Sequence, residues 1–171
     1  MGVLLLIAGH ETTANLIGNA VLWVASDAGL REHLLADPQR IPAAVEEVLR
    51  WDGPVHNAPL RFAAEDVEYS GTTIPAGSVV TLSVGAANRD PGRFDRPELL
   101  DPDRESGGHL AFGHGIHFCL GAPLARLEGE VALRSLLDRF PDLRLAVPLE
   151  DLRHRRSVLV HGLEQLPVVL Q

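Results

Sequence analysis

The chain has 171 residues, 46% hydrophobic and 22% charged, the proportions of a folded globular protein with room for one core and too little length for two. Fifteen Lys and Arg stand against 23 Asp and Glu, a net charge of −8, which argues against nucleic acid as a main partner because a phosphate backbone selects a basic footprint. The single cysteine, Cys119, permits no internal disulfide and excludes a small staple-held secreted fold.

The chain opens on MGVLLLIAGHETTANLIGNAVLWVASDAG. No basic residue precedes the apolar run, as a signal peptide would need. His10 and Glu11 interrupt what a membrane span would keep uncharged over about 20 residues. The stretch is predicted to form a helix from about Gly2 to Val24, buried on nearly all sides and without a capping residue before it. Such a helix needs neighbours that lie upstream, so the chain is expected to be the C-terminal part of something larger.

Ser26 or Asp27 can cap a second helix that reaches Leu35 and breaks at Asp37-Pro38. Pro42 suits the first turn of a third helix, which carries AAVEEVLRW and stops before Gly53-Pro54. After a loop or extended segment over residues 55–61, VEYSGTTIPAGSVVTLSV reads as three short strands, the last from Val79 to Val84. Closely spaced prolines and aspartates predict irregular structure from Asn88 to Gly108, and a loop of that length inside a compact domain is often functional. Residues 122–139 are predicted to form a long helix with an apolar stripe of Leu124, Leu127, Val131, Leu136 and Leu137. Leu143–Val147 and Ser157–Val160 read as strands, and the basic run Arg153–Arg156 as a solvated face or a contact between domains.

The densest chemistry lies in HLAFGHGIHFCLGAPLAR, His109 to Arg126. A lone cysteine is most often a small buried hydrophobe. Cys119, however, stands just before a long helix, where the dipole and free N–H groups stabilise a thiolate. Gly113, Gly115 and Gly121 allow a tight backbone and the close approach of a flat ligand. Zinc would need a closed set of thiolates and histidines, and a Cys119–His117 nucleophile pair has no third group to orient it. A cofactor with one thiolate ligand fits better, and haem is the common case.

FGHGIHFCLG, Phe112 to Gly121, resembles the haem-binding loop of the cytochrome P450 family, with every required position filled. The resemblance implies haem b (iron protoporphyrin IX) with Cys119 as its axial thiolate, Phe112 and Gly113 against the proximal side, and His117 as a donor to a haem propionate. The following APLARLE, which contains Arg126, is similar to the bacterial branch. Three further stretches fall in the family's order. Glu47 and Arg50 in EEVLR share a helix face, which by itself suggests a surface ion pair worth a few tenths of a kcal/mol. The resemblance instead joins them to Arg104, fifteen residues before Cys119, as a group that ties the irregular segment to the helix. In AGHETT the helix alone suggests that Thr12 and Thr13 bond back to the backbone and that Glu11 reaches a surface. The resemblance places this stretch over the distal haem face: Ala8 and Gly9 make room for dioxygen, and Glu11 and Thr12 steer protons and water during O–O cleavage. Arg61, ten residues before Gly71, matches a second propionate partner. Val55, in a segment that resembles a pocket lining, and Leu163 and Glu164, in HGLEQLPV, match substrate-facing positions; His161 stands where the family more often has arginine.

The implied fold is mainly α with small β-sheets: the C-terminal portion of the family's fold, from the distal helix through the haem-binding loop to the C-terminal hairpin. Residues 1–171 are read as a truncated part of one domain. The implied function is O2-dependent oxidation of a small organic substrate. Ferredoxin or a similar donor supplies the electrons, no nucleic acid or membrane takes part, and the location is cytoplasmic. The fragment alone is expected to be poorly stable and close to inactive. A non-catalytic haem-binding remnant shares the same cysteine loop and stays open at this point.

Overall fold

The computed structural model describes residues 2–104 and 107–171, with side chains described from residue 8 onward. Met1, Glu105 and Ser106, which belong to the uncapped start and to the irregular segment, lie outside the described residues.

Helix α1 spans Gly2–Ser26 and α2 spans Ala28–Ala36. Asp27 separates them: its carboxylate accepts the Leu30 N–H at 3.0 Å, satisfying one of the amides that a helix start leaves without a partner. A turn at Pro38–Arg40 leads into α3, Ile41–Asp52, with Pro42 in its first turn, where a missing N–H costs nothing. Strands β1 (Arg61–Phe62), β2 (Val67–Tyr69), β3 (Thr72–Ile74) and β4 (Val79–Val80) follow, then the short helix α4 (Val84–Ala87). Among the described residues from 88 to 108 there is neither helix nor strand. Helix α5 runs Ala122–Arg139, and β5 (Arg144–Leu145) and β6 (Val168–Val169) close the chain. The architecture is mainly helical with three separate two-stranded antiparallel sheets, β1 with β4, β2 with β3 and β5 with β6. The β2–β3 hairpin pairs Tyr69 with Thr72 through Ser70 and Gly71, both at positive φ (49° and 78°), the backbone twist that a two-residue hairpin turn requires.

One core joins the helices. Leu16, Ala20 and Val24 of α1, Leu34 of α2, Val45, Val48 and Leu49 of α3, and Leu133 and Leu137 of α5 are all buried against one another. Gly129 marks where α5 approaches closest: a Cβ there would lie 3.2 Å from Val45 Cγ1 and 3.5 Å from Leu16 Cδ2. The absent side chain lets three helices meet.

Several elements differ from the sequence expectation. The strand predicted from Val79 to Val84 ends at Val80, because Ser83 turns the chain into α4 by accepting the Ala86 N–H on its hydroxyl. Ser157–Val160 is not a strand. The Ser157 hydroxyl accepts the N–H groups of Leu159 and Val160, folding the segment into a turn, and only Val160 makes an isolated bridge, to Val55. On α5 the predicted stripe is only half right. Leu137 is buried, but Leu124, Leu127 and Val131 are 58%, 56% and 54% exposed, and the core face runs instead through Ala122, Gly129, Leu133 and Leu137.

Candidate functional site

The cysteine loop is built by its glycines and its own backbone bonds. Gly113 and Gly115 sit at φ 75° and 76°, a region that side-chain-bearing residues rarely adopt. The Gly113 N–H donates to Leu110 O at 2.9 Å, Phe118 N–H to Gly115 O at 3.0 Å, and Cys119 N–H to Phe112 O at 2.9 Å. These bonds wrap the loop about a short turn at Gly115–His117 and present Cys119 as an exposed thiol three residues before α5. Apolar side chains flank it in the open: Ile116 is 97% exposed, Leu120 87% and Phe118 52%. Exposed apolar surface of this kind marks a place built to be covered. A free sulfur ringed by apolar groups on a backbone held open by glycine fits a flat apolar group with a thiolate-ligated metal.

Side chains that could donate to the acidic edge of such a ligand are present, and among the described residues they are not paired with carboxylates. The Arg61 guanidinium, exposed in β1, donates only to the carbonyls of Pro59 and Leu60, and the exposed His117 makes no side-chain hydrogen bond among the described residues. On α1, Ala8, Gly9 and Glu11 are exposed, and a Cβ on Gly9 would meet nothing within 4 Å. The Thr12 hydroxyl donates to Ala8 O at 2.6 Å, one helical turn back. Glu11 lies 3.5 Å from Arg155 across an exposed surface.

Glu47, Arg50 and Arg104 form a single buried group. The Glu47 carboxylate accepts two parallel bonds from Arg50, each 2.7 Å, and a third at 3.0 Å from Arg104 Nε. Glu47 and Arg50 are 0% and 1% exposed. The guanidiniums turn their remaining N–H groups on the irregular segment. Arg50 donates to the carbonyls of Asn88, Pro97 and Leu99, and Arg104 to those of Asp95, Arg96 and Leu99. Glu47 also accepts the Asp101 N–H at 2.9 Å. Backbone groups with no ladder of their own are thus paired by side chains.

Glu46, next in line, is a residue that the sequence reading missed. It accepts from Arg126 of α5 in a two-pronged pair and lies 3.1 Å from His109 Nε2, just before the cysteine loop. Burial pushes its carboxyl up, but the bonds to His109 and Arg126 outweigh that and hold its pKa down at about 2. The same pair keeps Arg126 above its ordinary pKa. Arg126 in turn lies 4.5 Å over the Phe112 ring. Glu46 therefore connects α3, α5 and the aromatic at the start of the loop. The only sequence signal was the doubled acid in EEVLR.

The positions matched to substrate contacts divide. Val55 is half-buried in its bridge to Val160, and Glu164 is exposed, its N–H bonded to Arg153 O at 2.8 Å. Leu163 borders a cleft with Trp51 and Leu152. It is 9% exposed and packs inward beside Leu22 and Trp23, because it sits opposite His154 in an antiparallel bridge where successive side chains point to opposite faces.

The helical frame, the glycine-shaped thiol loop and the buried Glu–Arg–Arg group together define one class of protein, and residues 3–151 match the Cytochrome P450 family model: the chain belongs to the cytochrome P450 family. It is 56% identical over 170 residues to vitamin D(3) 25-hydroxylase of Pseudonocardia autotrophica, covering 99% of this chain and 42% of that protein. It is 46% identical to 6-deoxyerythronolide B hydroxylase of Saccharopolyspora erythraea, again over 99% of this chain and 42% of the relative. The tirandamycin C-bound P450 monooxygenase TamI superposes with a TM-score of 0.96 at 52% identity, covering all of this chain and 43% of TamI. The chain thus spans less than half the length of the relatives it matches. Among the described residues, no helix is long and apolar enough to cross a membrane.

Proposed function

We propose that this chain holds haem b through Cys119 and serves a cytoplasmic monooxygenase that oxidises a small organic substrate with O2 and electrons from a ferredoxin-like donor. The observation that carries the reading is the exposed Cys119 thiol on a glycine-shaped loop, ringed by exposed apolar side chains, in a chain of this family. Bound haem supplies an iron centre whose O2 chemistry is tuned by a thiolate ligand.

The other parts of the proposal concern what the residues do. Arg61 and His117 bind the propionates by charge and hydrogen bonding. Gly113 lets the backbone pass close to the macrocycle, and Phe112 shields the sulfur side. Ala8 and Gly9 keep the distal helix surface low. Thr12, which now donates to Ala8 O, and the exposed Glu11 hold and pass protons on that side. Glu47, Arg50 and Arg104 fix the segment that precedes the loop. Val55, Leu163 and Glu164 lie toward substrate. The 171-residue chain alone turns over little substrate, because it spans less than half the length of its relatives and leaves Leu124, Leu127 and Val131 of α5 exposed.

The test is a carbon monoxide difference spectrum of the reduced, haem-supplemented chain. A thiolate-type band lost in Cys119→Ser supports the reading. A haem spectrum of the imidazole type, unchanged by Cys119→Ser, overturns it.

A further inference from the structure

His161, which stands where the family more often has arginine, lies beside Asp52 at the end of α3 and beside the His56 ring. Its Nε2 lies 3.0 Å from Asp52 Oδ1, and His56 Nε2 lies 4.0 Å from the same oxygen. The three donor atoms all fall within 4.8 Å of one another. We propose that Asp52, His56 and His161 bind one divalent transition ion of the zinc class, independently of haem.

The site has an anchor, two soft donors and room. Asp52 ends α3, is 4% exposed, and has its other oxygen fixed by the Trp23 indole N–H at 3.0 Å. A carboxylate oriented from behind in this way is the usual arrangement of a metal-binding carboxylate with its outer partner. His161 is positioned by its own backbone, whose N–H donates to Pro54 O at 2.8 Å, and its ring is backed by His154 at a centroid distance of 4.3 Å. His56 lies on the loop after α3, and its carbonyl accepts the Gly85 N–H at 3.0 Å. Two imidazoles and one carboxylate suit zinc and its neighbours better than calcium or magnesium.

In the ion-free structure the His56 and His161 rings stack at 3.8 Å, 13° from parallel. Ligand atoms around a tetrahedral zinc are about 3.3 Å apart, so the His56 ring must swing out of the stack to aim its Nε2 at the ion. Its side chain is 32% exposed and free to do so. The ion would take the place of the direct contact between His161 Nε2 and Asp52 Oδ1. A cleft of about 200 Å3 beside Asp52 and His161, bordered by Trp23, Trp51 and Leu152, leaves space for a water as fourth ligand. Arg89 also borders this cleft, but its guanidinium is engaged by the Trp51 carbonyl and lies 4.6 Å over the Trp51 ring. The ion would tie the end of α3 to the hairpin that carries His161.

The experiment titrates the chelator-treated full chain with zinc chloride and measures bound metal after gel filtration, with cobalt(II) absorption as a second readout. One zinc per chain is expected, with a tetrahedral cobalt spectrum. His56→Gln and His161→Arg should each abolish both signals, and Trp23→Phe should weaken zinc binding roughly tenfold through the loss of the outer hydrogen bond. In His161→Arg the guanidinium can pair with Asp52 in place of the imidazole, and circular dichroism checks that the fold is retained. Absence of stoichiometric zinc from a chain that circular dichroism shows to be folded overturns the site, and so does zinc binding that survives both substitutions, since it then resides on Cys119 or on exposed histidines.

Discussion

The segment from Asn88 to Arg104 and the loop around Cys119 are both irregular backbone lying against helices, yet they are completed in opposite ways. The first is held by side chains of the chain itself, with Glu47 and Arg50 0% and 1% exposed and their bonds spent on carbonyls and on Arg104. The second bonds its own backbone but leaves its apolar side chains and its thiol in the open. One irregular segment is thus satisfied internally as scaffold, whereas the other leaves its surface open, as a binding loop would.

The largest effect that would break this contrast is at the scaffold. Glu47→Ala leaves two guanidiniums in or near the core without their carboxylate and should cost about 3–5 kcal/mol, read by urea unfolding. A loss below about 1 kcal/mol would show that the group is decorative. Leu133→Ala, at the meeting of α1, α3 and α5, should cost about 2–5 kcal/mol in the same assay. The Glu46 carboxyl sharpens the comparison, since it ties the approach to the cysteine loop to the helix that also carries Glu47 and Arg50. Its pKa is lowered from 4.5 to about 2 on folding, so between those values the unfolded chain binds more protons. The stability it contributes is complete above pH 4.5 and is lost as pH falls toward 2. Glu46→Gln should lower the unfolding midpoint near neutrality and flatten its pH dependence between pH 4.5 and 2, so that the two proteins converge at the acid end. The smallest effects belong to the open surface: without haem, Cys119→Ser and Leu127→Ala should each shift stability by no more than about 0.5 kcal/mol.

Local chemistry was legible in the sequence and long-range geometry was not. Helix α5 begins at Ala122 and ends at Arg139, within the bounds that its proline and its period marked, because both signals are local. Its buried face was misread because Leu124, Leu127 and Val131 are apolar but exposed, and periodicity reports hydrophobicity rather than what covers it. Val79–Val84 looked like a strand by β-branching, but Ser83 as a cap outweighed propensity once the chain had to turn. The Glu47, Arg50 and Arg104 group and the Cys119 loop were found through motifs that carry their spacing within a few residues or in a known order. Glu46 with His109 and Arg126, and Asp52 with His161, are separated by many positions along the chain and follow no pattern of spacing, so only the folded arrangement displays them.

The carbonyls that Arg50 gathers come from Asn88, Pro97 and Leu99, 38 to 49 positions along the chain, and Glu47 takes the Asp101 amide from 54 positions away. Two adjacent turns of one helix therefore act as the template on which a stretch with no repeat of its own acquires a shape. Contacts of such sequence separation are slow to close and are rewarded only after α3 exists. By contact order the segment is expected to take its shape only after α3 is in position, whereas the short-range bonds of the cysteine loop can close early and wait for that segment to fix where the loop sits.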